Sequence, residues 1–153
     1  VLIMSNAQFC IFGCSGILDI PLMFDVPLLR LNYIPLYDIF KDKFKHSIIF
    51  KKYYDIKKKK ILSIEEVFER NLHNLYYSEQ YNDHEIRLID NSTDEILSLV
   101  KEFESFDGRE KLLNEDKDFY EKINLILEKN KVKYFINPIS KNFLSNIQIL
   151  KQE

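Results

Sequence analysis

Glycine, proline, cysteine and tryptophan are scarce in this chain, at three, four, two and none in 153 residues. Two cysteines do not build the disulfide framework of a small secreted domain, and so little glycine and proline excludes a collagen-like or low-complexity chain. No window reaches the roughly 18 uninterrupted apolar residues of a membrane-spanning helix. A net charge of −2 argues against a general nucleic-acid binder. Motifs for metal and phosphate chemistry are missing as well: there is no His-Glu-Xaa-Xaa-His, no Gly-Lys-Ser/Thr and no clustered cysteine pairs. Gly13-Cys14-Ser15-Gly16 lacks the second spacer of a nucleophile elbow, so a serine hydrolase is excluded at the motif. Neither a metal nor a resident cofactor is expected.

What is present suits one α/β domain over residues 1–153. Hydrophobic residues make up 46% and charged residues 30%, the balance of a globular protein with a core. The charges are unevenly placed. Of 22 basic and 24 acidic side chains, residues 1–40 hold only Asp19, Asp25, Arg30 and Asp38. The first quarter therefore supplies core and the rest mostly covers it. Cys10 and Cys14 lie too far apart along an extended strand to bridge, and are read as core and turn thiols of a reducing, cytoplasmic compartment.

The chain is organised around residues 9–32. Phe9 to Phe12 is an apolar run of strand length, of the kind covered on both faces of a parallel sheet. It stops at Gly13 and Gly16. Ser15 or Gly16 can start a helix, with the serine hydroxyl as cap, and Pro27 ends that helix before the second apolar strand, Leu28 to Leu31. The result is a βαβ unit. A turn at the carboxyl end of its first strand presents backbone N–H groups to an anion, and a diphosphate fits such a site. The same small residues also serve simply to let helix and sheet pack closely. Asn32, Tyr33 and Tyr37 leave the carboxyl end of the second strand, the edge where open α/β sheets hold ligands. They are candidates to touch a base, ribose or acceptor, or else anchors for a long loop.

Phe12-Gly13-Cys14-Ser15-Gly16, then Pro21, Phe24 and Pro27 at three-residue spacing, an apolar strand and Asn32 resemble the nucleotide-sugar half of GT-B-type glycosyltransferases. The pattern is most similar to a family of bacterial glycosyltransferases known mainly from sequence. Lys51-Lys52-Tyr53-Tyr54, Leu62-Ser63-Ile64-Glu65-Glu66, residues 90–96 and Ser140-Lys141-Asn142-Phe143-Leu144 extend the resemblance over nearly the whole chain. It implies a Rossmann-like parallel sheet flanked by helices, the carboxy-terminal domain of a two-domain enzyme of surface polysaccharide or glycan synthesis. An amino-terminal domain is then expected before Val1, leaving this chain a catalytically incomplete fragment. Gly13, Cys14, Ser15 and Gly16 would hold the donor diphosphate, and Asp19, Asn32 and Tyr33 the donor sugar or ribose. Asp19 stands where such families more usually carry Glu. The nucleotide sugar is substrate, and the acceptor a glycan or lipid-linked molecule. Alternatives sharing the Ser-Gly turn are a sugar-nucleotide 2-epimerase-like domain and a non-catalytic α/β binding module.

Several later segments are legible locally. The basic residues 51–60, with Tyr53 and Tyr54 among them, suit either a solvated hairpin, with Ile48 to Phe50 pairing with Lys60 to Leu62, or peripheral contact with the inner face of a membrane. Ser63-Ile64-Glu65-Glu66 is a capping box, and the apolar spacing from Ile64 to Leu75 predicts a helix to about Tyr77. His73 is expected at its surface or boundary. Residues 85–90 have strand character, and Ser92 with Glu95 forms a second box opening a helix whose stripe is Ile96, Leu97, Val100 and Phe103, with Gly108 at its end. A helix is predicted over 115–130. Residues 131–153 form a helical tail, broken by Asn137-Pro138 and carrying Ile139, Phe143, Leu144 and Ile147.

Overall fold

The computed structural model describes residues 2–36, 46–105, 117–131 and 139–147, arranged as mixed α/β. A single helical turn, α1 (Leu2–Ser5), leads into β1 (Cys10–Phe12). A 3-10 turn (Gly16–Leu18) and the short helix α2 (Asp19–Met23) cross to β2 (Leu28–Tyr33), followed by β3 (His46–Phe50). The three strands are parallel in the order β1-β2-β3, with Cys10 beside Leu28 and Leu28 beside His46. Ile139 continues the series through a parallel bridge to Ile48. The expected βαβ unit is therefore formed.

Two of its details differ from expectation. β1 is not covered on both faces, since Ile11 is 42% exposed, and among the described residues it pairs with β2 alone. The crossing helix stops at Met23, before Pro27. Pro21 is tolerated in its first turn, where its missing N–H donor would have had no intrahelical acceptor, and Asp25 reverses the chain in the left-handed region (φ 55°).

At Lys51 the chain leaves the parallel sheet. β4 (Lys52–Asp55), β5 (Lys60–Ile61) and β6 (Ile86–Ile89) form an antiparallel sheet in the order β5-β4-β6. The hairpin is present with a different first arm. Tyr54 and Asp55 pair with Ile61 and Lys60, whereas Ile48, Ile49 and Phe50, all 2% exposed or less, belong to the parallel sheet.

Both capping boxes form. Ser63 accepts from the Glu66 N–H at 3.1 Å and Glu66 accepts from the Ser63 N–H at 3.0 Å, opening α3 (Ile64–Glu69). That helix stops well short of Tyr77. Asn71 takes a left-handed conformation (φ 56°) that asparagine tolerates, a 3-10 turn (Leu72–Asn74) follows, and α4 (Ser78–Asp83) starts afresh. Ser92 and Glu95 open α5 (Thr93–Glu104) by the same reciprocal bonds. α6 (Lys117–Lys129) and α7 (Lys141–Ser145) match the predicted later helices. Tyr37, Gly108, Asn137-Pro138 and the ends of the tail lie outside the described residues.

One buried cluster joins the two sheets. Leu28, Leu29, Ile48 and Ile49 of the parallel strands pack with Tyr53, Phe68, Leu99, Leu127 and Phe143 from the other elements. Phe50 meets Phe143 edge-on at 5.0 Å, which fastens α7 to the end of β3. Each such side chain contributes about 2 kcal/mol by leaving water. His73 is in this interior too, 5% exposed and stacked on Phe68 at 4.3 Å. The expectation of a surface or boundary position fails because the one-position offset of His73 from the apolar stripe matters only in a continuous helix. Burial pushes its imidazole below the ordinary value of 6.5, against a partly offsetting backbone contact at Val67.

Candidate functional site

The turn Gly13-Cys14-Ser15-Gly16 lies at the carboxyl end of β1, and all four residues are exposed. Neither glycine adopts a left-handed φ. Glycine is thus not demanded by the backbone here, and what it supplies is an uncovered chain. A Cβ at Gly16 would meet nothing within 4 Å, and one at Gly13 only the Leu31 carbonyl at 3.9 Å. The Ser15 hydroxyl makes no capping bond, although its carbonyl accepts the Leu18 N–H at 3.2 Å. Among the described residues the N–H groups of Cys14, Ser15 and Gly16 and the Ser15 hydroxyl have no partner, and they follow one another along one exposed arc. The five residues of α2 are too few for a strong dipole, so attraction for an anion rests on the arc itself.

One hydrogen bond ties this arc to the chain just past β2: the Cys14 thiol donates to the Ile34 carbonyl at 3.0 Å. Two residues before Ile34 sits Asn32, left-handed at φ 50°, where the β2–β3 register shifts between Arg30 and Tyr33. Asn32 is held in turn by a reciprocal amide pair. The Asn91 N–H donates to Asn32 Oδ1 at 2.6 Å, and the Asn32 N–H donates to Asn91 Oδ1 at 2.7 Å. Asn91 Nδ2 reaches the Phe50 carbonyl at 2.9 Å. Thus the carboxyl ends of β1, β2 and β3 and the start of α5 are joined at one edge.

The remaining predicted site residues divide. Asp19 is exposed as the first residue of α2, one turn past Gly16, with its N–H returned to the Gly16 and Ile17 carbonyls. Tyr33 is 7% exposed, and the buried Arg30 guanidinium lies 5.1 Å from its ring centre. It faces the interior rather than the turn's open side. Asn91 entered the sequence expectations only within residues 90–96 of the resemblance. Its partner is 59 positions away, and the only local signal is an asparagine just before a capping serine.

The basic segment is largely engaged with carboxylates. Lys51 pairs with Asp90 at 2.7 Å, Lys52 with Glu95 at 2.5 Å, Lys60 with Glu66 at 2.8 Å, and Lys57 with Glu85. Lys58 and Lys59 have no ion pair among the described residues, although the Lys58 N–H donates to Asp55 at 2.8 Å. Burial pushes the Asp55 carboxyl up, but the Lys58 N–H and Arg70, bonded at 2.6 Å, bring it below the usual carboxylate range. Glu66 behaves alike: burial raises it, and Lys60 with the Ser63 N–H lowers it further.

Two shallow hollows occur elsewhere. One of about 230 Å³ lies by the start of α5, between Lys52, Glu95 and Phe143, and one of about 360 Å³ lies between α4 and β6. Neither is lined by the turn, and in the first Lys52 and Glu95 are already paired with each other. Among the described residues no group of three His, Cys, Asp or Glu side chains could hold a metal, and no helix is long and apolar enough to cross a membrane. No family model, curated protein or solved structure matches the chain.

Proposed function

We propose that the chain is the donor-binding part of a glycosyltransferase of GT-B type, in which Gly13 to Gly16 hold the diphosphate of a nucleotide sugar. The observation that carries this reading is the bare turn at the carboxyl end of β1. Among the described residues its Cys14, Ser15 and Gly16 N–H groups and the Ser15 hydroxyl have no partner, and a Cβ at Gly16 would stand in open space. Hydrogen bonds of this kind stabilise a departing nucleoside diphosphate without a metal cage. The exposed carboxylate of Asp19, one turn on, is in reach of the sugar hydroxyls. Acceptor contacts and the general base belong to the domain expected before Val1, and the acceptor is a glycan or a lipid-linked molecule. Lys58 and Lys59 at the hairpin tip are the groups left for contact with the inner face of a membrane.

The test is equilibrium titration with uridine and guanosine diphosphates. Because a Cβ at Gly16 would meet nothing within 4 Å, Gly16→Val is expected to fold as wild type and lose saturable binding. Equal binding by the two proteins, or none by a folded wild type, rejects the reading. An epimerase-like domain would instead convert or hydrolyse the nucleotide sugar with no acceptor present.

A further inference from the structure

Residues 56–61, Ile-Lys-Lys-Lys-Lys-Ile, are exposed one after another between the buried Asp55 and the buried Leu62. They form the tip of the β4–β5 hairpin, where Tyr54 and Asp55 pair with Ile61 and Lys60. The tip is held from below. Asp55 accepts from the Lys58 N–H at 2.8 Å and from Arg70 at 2.6 Å, and the Ile56 N–H donates to the Glu85 carbonyl at 3.0 Å. The outer lysines, Lys57 and Lys60, have Glu85 and Glu66 as partners. Lys58 and Lys59 between them have no ion pair among the described residues, so the tip presents their two positive charges. The apolar side chains at its ends are uncovered as well, Ile56 being 50% exposed and Ile61 41%. Tyr54 shares a face with its cross-strand partners Ile61 and Arg87, and the Arg87 guanidinium lies 4.8 Å from its ring centre. The end of this hairpin therefore combines apolar surface with cations.

Resting on the membrane-contact reading of Lys58 and Lys59, and independent of the diphosphate reading of the β1 turn, we infer that this tip anchors the chain on an anionic bilayer. Lys58 and Lys59 meet the lipid headgroups, while Ile56 and Ile61 enter the boundary between headgroups and acyl chains. Attraction of lysine to anionic lipid and removal of apolar surface from water add to each other in such interfacial binding. The partner is a membrane rather than a nucleic acid, because base recognition by a basic surface uses aromatic rings open for stacking. Here the Tyr54 ring is already covered by Arg87, and the exposed apolar groups are aliphatic. The bonds at Asp55 and Ile56 fix the tip before it meets the bilayer, which lowers the ordering cost of binding.

The chain has no tryptophan, so Ile56→Trp places a single fluorescent reporter at the proposed depth. Flotation with vesicles of phosphatidylcholine, with and without phosphatidylglycerol, compares wild type with two double variants. In one, Lys58→Gln is combined with Lys59→Asn, since asparagine tolerates the left-handed backbone at Lys59 (φ 53°). In the other, Ile56→Thr and Ile61→Thr keep the β-branch while adding a hydroxyl. Wild type should bind the anionic vesicles alone. The lysine changes should weaken this about tenfold and the isoleucine changes about fivefold, with thermal midpoints near that of wild type. On anionic vesicles the Trp emission should move to the blue and be quenched by brominated acyl chains. Unshifted emission on bound vesicles, with wild-type affinity in the isoleucine variant, overturns the insertion and leaves the lysine contact intact. No binding of folded wild type to anionic vesicles, or retention on single-stranded RNA in its place, overturns both.

Discussion

The β4 sheet and the β1–β2 edge treat their polar groups in opposite ways. Around β4, Asp55 is closed by Arg70 and the Lys58 N–H, Glu66 by Lys60 and its own capping serine, and Glu95 by Lys52. At the β1 turn the Ser15 hydroxyl has no partner among the described residues, and the glycines carry nothing over the backbone. A lysine-rich segment draws attention in a sequence because charge is visible there. Yet charge matched by neighbouring carboxylates is scaffold, and the nearly uncharged turn keeps the bonding capacity a ligand needs. The contrast predicts that damage around β4 is read as lost stability and damage at the turn as lost binding.

The largest effect should come from the core that both regions share. Phe68→Ala, at a site 1% exposed and stacked on His73, is expected to lower unfolding free energy by about 3–5 kcal/mol in urea denaturation. Asp55→Ala should cost about 2 kcal/mol, less than a fully buried pair, because the Arg70 side chain is 32% exposed and rehydrates. Neither change should alter nucleotide affinity of the folded fraction by much. A large affinity loss from Asp55→Ala would break the division between the regions.

Acid should act on the paired side as well. His73 has a lowered value in the fold, so the unfolded chain binds its proton first, and stability falls as pH drops below 6.5. Asp55 and Glu66 are also lowered, so their contribution, present above their ordinary values of 3.8 and 4.5, is lost as pH falls through the folded values. Thermal midpoints measured between pH 7 and pH 3 should decline in two stages, and His73→Phe should remove the first. A flat profile down to pH 5 would contradict the buried, neutral imidazole.

Ser63→Ala, removing the cap of α3, should cost about 1 kcal/mol. At the smallest end, Gly16→Ala is expected to change the midpoint hardly at all, since its Cβ enters open space. The two capping boxes were legible because each is a four-residue pattern closed by its own atoms. The βαβ unit was legible for a similar reason, from an apolar run, a small-residue turn and Pro27. What sequence left out depends on distant partners. β3 pairs with β2 rather than folding onto β5 because the core accepts Ile48 and Ile49 on the parallel sheet. The break at Asn71 sends His73 inward against an apolar pattern that runs on unbroken. Asn91 gains its role only when β2 and α5 meet, and nothing in residues 90–96 announces it.

The most direct test of the account is a residue-resolved one: amide chemical-shift changes in the 18.4 kDa chain on addition of uridine or guanosine diphosphate. The account predicts saturable changes concentrated at Gly13 to Ile17, with little movement in β4, β5 and the lysines between them. Changes concentrated on Lys57 to Lys60, or no saturable change in a folded chain, would contradict it.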